Sequence, residues 1–287
     1  MNRMWDSRIS RRGVLKLGAA GAALWATGLR SLAAVAEPAK KKKIPIAVQL
    51  YSVRNDCGKD FEGTIKEIGK MGYEGVEFAG YYGWDKKAKD LRKLLDDNGL
   101  KCCGTHTGLN TIKGDALKAT AELHKTLGNQ FLIVPGMSAK DADGWLDLAK
   151  QFNEIAAKAK ELGMRVGYHA HGGDFKKMGD KTCWEIFFDN TNADVVMQMD
   201  MGNCLGGGGD PYALLKKYPG RSATVHLKEH GGKGGAPVGE GTVNWKEVFE
   251  ICETTGGTEW YVVEHESGSK PLEAIKACID NLRKMGK

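Results

Sequence analysis

The 287-residue chain is 41% apolar and 27% charged, an ordinary globular composition that excludes a disordered chain, a collagen-like repeat and a polytopic membrane protein. Its formal charge of +6 is concentrated at the N-terminus, where residues 1–36 carry six basic groups against one acid and leave 36 basic and 35 acidic groups beyond Ala36. A body so nearly balanced has little net positive charge with which to displace counterions, so no nucleic-acid partner is expected, with a local basic patch left open.

In chain order, Ser10-Arg11-Arg12-Gly13-Val14-Leu15-Lys16 precedes an apolar stretch from Leu17 to Leu29 and then the small-x-small tripeptide Ala34-Val35-Ala36. That is the order of a bacterial export signal, and the paired arginines resemble a twin-arginine signal, whose machinery carries proteins already folded. Residues 1–36 are therefore expected to be cleaved near Ala36, with 37–43 as a flexible basic linker. The mature protein would be periplasmic or exported, with no stable membrane insertion; an uncleaved membrane anchor is the alternative. All seven cysteines follow this segment, form no Cys-x-x-Cys pair and sit in apolar patterns. They read as small hydrophobes rather than a zinc knuckle or a disulfide framework, with one bridge left open.

Residues 44–287 read as eight strand-helix units. The candidate strands are 44–53, 75–80, 101–107, 131–136, 165–171, 195–201, 222–228 and 260–266. Between them lie amphipathic stretches such as Lys86 to Asp97 and Ala142 to Leu162. Asp210-Pro211 is a helix start, Gly72, Gly99, Gly128 and Gly163 are helix stops, and Gly206 to Gly209 reads as a mobile loop. Strict alternation implies a parallel sheet covered by helices, and eight units in about 240 residues predict a single α/β domain, a (β/α)8 TIM barrel. An open doubly wound sheet is disfavoured, because the first strand-helix turn lacks G-x-G-x-x-G.

Polar residues gather at the C-terminal ends of the later strands, where a barrel builds its active site. Strand five ends Tyr168-His169-Ala170-His171 and runs on to Asp174; strand six carries Asp200 near its end; strand seven ends His226-Leu227-Lys228; strand eight ends Glu264-His265-Glu266. Carboxylates converging on one mouth need a cation or must hold protons. One imidazole with carboxylate oxygens suits a single divalent ion, Mn²⁺ first, with Mg²⁺, Co²⁺, Fe²⁺ or Zn²⁺ as alternatives.

The chain resembles the xylose-isomerase-like barrels often labelled sugar phosphate isomerase/epimerase. The resemblance rests on Val48-Gln49-Leu50-Tyr51-Ser52, Gly75-Val76-Glu77-Phe78, Gly104-Thr105-His106, Tyr168-His169-Ala170-His171, Gly209-Asp210-Pro211, His226-Leu227-Lys228, Gly239-Glu240-Gly241 and Val263-Glu264, in this order. It implies Asp174, Asp200, His226 and Glu264 as metal ligands. It also implies Asp174 and Glu264 as the catalytic acid-base pair, and His106, His169, His171, Lys228 and Glu240 as substrate contacts. The family's His-Asn-His-x-x-Glu-Phe is here His169-Ala170-His171-Gly172-Gly173-Asp174-Phe175. The shorter acid means that the metal shifts, that water bridges it, or that His171 replaces it. Glu77 is open between substrate contact and a structural role, and Tyr51, Tyr81, Tyr82, Trp84 and Trp245 divide between sugar stacking and packing. A homo-oligomer is common in the family.

The activity so implied is a metal-dependent sugar isomerase or epimerase that abstracts a proton next to a carbonyl. Export points to a non-phosphorylated carbohydrate. The alternatives are a lyase or hydratase of 3-keto-glycosides or keto-inositols and, from another class, a periplasmic sugar-binding protein without turnover. An endonuclease of abasic DNA shares the barrel but needs a basic surface that the balanced body lacks.

Overall fold

Eight short runs form parallel strands: β1 Ile46–Gln49, β2 Gly75–Phe78, β3 Lys101–His106, β4 Phe131–Val134, β5 Arg165–His169, β6 Val196–Gln198, β7 Thr224–Leu227 and β8 Trp260–Val263. These come from a computed structural model that describes residues 43–287 apart from 233, 234 and 267, so the expected signal and all but the last residue of the linker lie outside the described residues. The sheet order is β6-β5-β4-β3-β2-β1-β8-β7. Its two outer strands meet at a parallel bridge between Asp200 and His226, flanked by Met197 N to Arg221 O and His226 N to Met199 O, both 2.8 Å. The sheet thus comes close to closing on itself, as the eight-unit count requires. At the N-terminal end of this seam the buried Arg221 guanidinium donates to the carbonyls of Phe188, Thr191, Asn192 and Val195.

The helices are α1 Arg54–Lys59, α2 Phe61–Met71, α3 Ala88–Asp97, α4 Gly114–Leu127, α5 Ala142–Glu161, α6 Cys183–Asp189, α7 Met201–Gly206, α8 Pro211–Lys217, α9 Trp245–Thr254 and α10 Pro271–Lys284. Their limits follow local chemistry. Asp141 and Asp210 cap α5 and α8 by accepting from Gly144 N and Ala213 N, each at 3.0 Å, and satisfy amides that the first helical turn leaves without partners. Gly72 and Gly128 end α2 and α4 at φ +86° and +75°, where a Cβ would be strained. One expectation is corrected: Gly206 is the last residue of α7, because Asp200 caps a short helix there, so the glycine run does not begin as a free loop.

Large apolar side chains such as Ile65, Leu91, Phe152, Trp184 and Leu282 fill the layer between strands and helices. Inside the barrel, small clusters of Phe131, Ile133, Val196 and Ala223, and of Ala47, Cys103 and Val262, fill the N-terminal part. All seven cysteines are buried free thiols. No helix among the described residues is long and apolar enough to cross a membrane.

Candidate metal centre and cavity

Alternate residues of a strand face the same side, so parity decides what stands above the apolar plug. Two residues beyond Ala47, Gly75, Gly167, Val196, Thr224 and Val262 come Gln49, Glu77, His169, Gln198, His226 and Glu264. These form a buried polar layer. Glu77 accepts from Gln49 Nε2 and Gln198 Nε2, both at 2.8 Å, and its Oε2 lies 2.6 Å from His226 Nε2. Gly104 makes room for it: a Cβ there would sit 2.5 Å from Glu77 Oε1.

Gln198 orients two histidines. Its Nε2 faces Glu77 and Thr224 Oγ1, so its Oε1 is the acceptor for His106 Nε2 at 2.8 Å and His169 Nδ1 at 3.0 Å. With its proton on Nδ1, His169 keeps a lone pair on Nε2 for a ligand.

His169, Asp200, His226 and Glu264 are all buried, and each offers one ligand atom within 4.8 Å of the others; His106, His169 and His226 form an overlapping group. Asp200 Oδ1 accepts from Asn203 N at 2.7 Å and caps α7. Its Oδ2 is buried with no hydrogen-bond partner and lies 3.7 Å from His226 Nδ1. His226 stands between carboxylates, with Nδ1 2.8 Å from Glu264 and Nε2 against Glu77. A buried carboxylate oxygen without a donor, among two imidazoles and a second carboxylate, fits a divalent cation.

The electrostatics point the same way. Burial, with Glu264 nearby, pushes Asp200 up to about 7. Burial holds His169 well below the usual imidazole range. Burial opposes charge on His226, yet Glu77 and Glu264 raise it to about 10. Such opposed shifts in one cluster mark a site built for charge that the side chains alone do not balance.

The expected site residues are distributed unevenly. Asp200, His226 and Glu264 come together, and the fourth member of their group is His169. Asp174 stands apart from them: Oδ1 accepts from Tyr168 Oη and Oδ2 from His171 N, both at 2.7 Å. Burial raises it to about 6. Asp174, His106, His169, His171 and Glu264 all line one cavity of about 1000 Å³, together with the exposed Tyr51. Lys228 is not among the lining residues, but its Nζ lies 3.3 Å from Glu264 and 2.9 Å from Glu266, which are. Glu240 is not among the cavity's lining residues; it is exposed and accepts from Asn281 Nδ2 at 2.8 Å. Trp245 donates to Glu229, Tyr81 is bound to His124, and Tyr82 and Trp84 pack on Phe61, so these four aromatic side chains have structural partners. Gln49 and Gln198 are the supporting residues that motif reading missed. Each is a lone polar residue in an apolar strand at the parity of Glu77 and His226, and that signal was available.

Residues 65–285 match the model of the xylose isomerase-like TIM barrel family. Among curated relatives, the inosose dehydratase of Clostridium tetani is 34% identical over 289 residues, covering 83% of this chain and 96% of that protein. Among solved structures, a sugar phosphate isomerase/epimerase from Parabacteroides distasonis superposes with a TM-score of 0.73 at 24% identity, covering 84% of this chain and 98% of the other. The 3-keto-D-glucoside 4-epimerase of E. coli does so at 0.64 and 16% identity, covering 84% and 100%. The chain belongs to the xylose isomerase-like TIM barrel family.

Proposed function

We propose that this protein is a divalent-metal-dependent enzyme that removes the proton next to the carbonyl of a non-phosphorylated keto-sugar and returns it, as an isomerase or epimerase. The observation that carries the reading is the partnerless Asp200 Oδ2 among His169, His226 and Glu264, beneath a cavity whose wall holds Asp174. His169, Asp200, His226 and Glu264 would hold the ion. Two imidazoles beside two carboxylates suit Mn²⁺, Fe²⁺, Co²⁺ or Zn²⁺ better than Mg²⁺. Such an ion supplies positive charge for an oxygen on which negative charge develops.

We assign Asp174 to proton transfer rather than ligation. Its carboxyl opens on the cavity, Tyr168 Oη and His171 N fix its orientation, and a value near 6 suits it to take and return a proton at neutral pH. Glu264, restrained by Lys228, is the second carboxylate open to the same space. His106 and His171 line the cavity within reach of substrate oxygens. The twin-arginine-type N-terminus favours a free sugar, because sugar phosphates are made and used in the cytoplasm.

A second reading is elimination, which the name of the Clostridium tetani relative favours. The first proton transfer is the same; the β C–O bond then breaks and water leaves. Metal analysis of the purified protein beside Asp200→Ala and His226→Ala, followed by incubation with 3-keto-glucosides and keto-inositols in heavy water, tests both. About one equivalent of metal is expected in the wild type and a loss in each variant. Deuterium uptake with no other change of mass supports isomerisation, and loss of water supports the lyase. A wild type that takes up no metal on reconstitution overturns the catalytic reading in favour of a sugar-binding protein.

A further inference from the structure

We infer that the substrate is a glycoside whose aglycone is an apolar ring, seated against a wall of the cavity that the sugar chemistry does not use. This rests on the proposed proton-abstraction reading and specifies its substrate class. The cavity lining divides by element. Apart from Lys140 and Lys176, the charged and imidazole groups come from the ends of β3, β5 and β8 and the turn after β5, whereas Pro135, Met137, Ala139, Trp145, Met178 and Cys183 come from the connections after β4 and β5 and the helix turns that follow.

Three observations give that apolar wall a ligand. The cavity measures about 1000 Å³. That is the upper end of the roughly 300–1,000 Å³ that drug-sized ligands occupy, so one sugar ring leaves most of it to water. Trp145, in the first turn of α5, is buried against Tyr168 and Phe187 with ring centroids 6.2 and 6.3 Å apart, so it backs the wall with a rigid apolar support and leaves only its edge to the cavity. Met178 belongs to a two-stranded hairpin, in which Lys177 and Met178 pair with Thr182 and Lys181, inserted between the Asp174 turn and α6. Met137 and Met178 are both half-buried and line the cavity, where flexible thioether chains adapt to a flat ring. Lys140 and Lys176 stand at the exposed rim, where they reach water rather than the apolar wall.

The test compares methyl and phenyl 3-keto-β-D-glucoside on the metal-loaded protein, reading kcat/KM from proton exchange or product formation, with calorimetric binding of methyl and phenyl β-D-glucoside as a readout that needs no turnover. The phenyl compound is expected to be preferred by roughly tenfold or more. In Met178→Ser and Met137→Ser, each checked for an unchanged melting temperature, the preference should shrink to about twofold as apolar contact is lost. Equal kcat/KM for both compounds in the wild type overturns the inference and leaves the proton-abstraction reading standing. If neither is turned over, tighter binding of phenyl glucoside that is lost in Met178→Ser supports the apolar wall and sinks the catalytic reading. Equal binding of the two glucosides in that case overturns both.

Discussion

Asn129 settles where the proton sits on His124. Its Oδ1 accepts from Phe131 N at 2.8 Å, so its Nδ2 donates to Phe131 O and to His124 Nδ1, both at 2.9 Å. Nδ1 is thus an acceptor, and Nε2 carries the hydrogen toward Tyr81 Oη at 2.8 Å. Protonating Nδ1 would break this arrangement, and burial holds the ring down to about 4. An unfolded histidine titrates near 6.5, so between those values the unfolded chain binds the extra proton. The contribution is complete above about pH 6.5, declines as pH falls toward about 4 and levels off below, for a total of about 3 kcal/mol. Urea unfolding at about pH 7.5 and about pH 4.5 should show this decline in the wild type and lack it in His124→Gln. Glu77 works on the candidate metal centre in a similar way, by holding His226 Nε2. Glu77→Gln is expected to weaken metal binding by roughly 10- to 100-fold, read by competition with a chelator. An unchanged affinity would show that His226 needs no such support.

Among the elements, the strands and the longer helices were legible, and the short turns between them were not. All eight were placed by their apolar runs, yet the expected segments overran the ladders: 44–53 against β1, ending at Gln49, and 195–201 against β6, ending at Gln198. The overrun occurs where the chain turns into short helical pieces, the 3-10 turn Leu50–Val53 and the Asp200-capped α7, which keep the composition of a strand. Spacing along a sequence likewise does not show that the Asp174 carboxylate accepts from His171 N, or that His169 is the residue grouped with Asp200, His226 and Glu264. The segment from Glu229 to Val243 carries no periodicity at all, and one side chain shapes it. Glu229 accepts from His230 N, Gly239 N, Val243 N and Trp245 Nε1 at 2.7 to 3.0 Å. Glu229→Ala leaves these donors without that acceptor, and a loss of roughly 2–4 kcal/mol is expected, with faster proteolytic cleavage between 230 and 243 than elsewhere. Cleavage at the wild-type rate would mean that the loop is held by other contacts.

On the scale of the whole molecule, the barrel closes where its candidate metal centre lies. The bridge between Asp200 and His226 joins the two outer strands, and both residues belong to the candidate ligand group. An ion bound there would tie β6 to β7 and, by binding the folded chain, would stabilise it. Metal at a hundredfold excess over its Kd should add about 2.7 kcal/mol, so a chelator should lower Tm, and Asp200→Ala should abolish that response. The other end of the seam depends on no ligand. Burial lowers the Arg221 guanidinium to about 10, so it stays charged at neutral pH, and the carbonyls of Phe188, Thr191, Asn192 and Val195 hold it. The seam is therefore held at its base by Arg221, and a bound ion would fasten it at its top. Amide exchange should show the difference after chelation: His226 N, bonded to Met199 O, loses protection, while Met197 N, bonded to Arg221 O, retains it. The barrel would then open from one rim, the one on which the cavity lies.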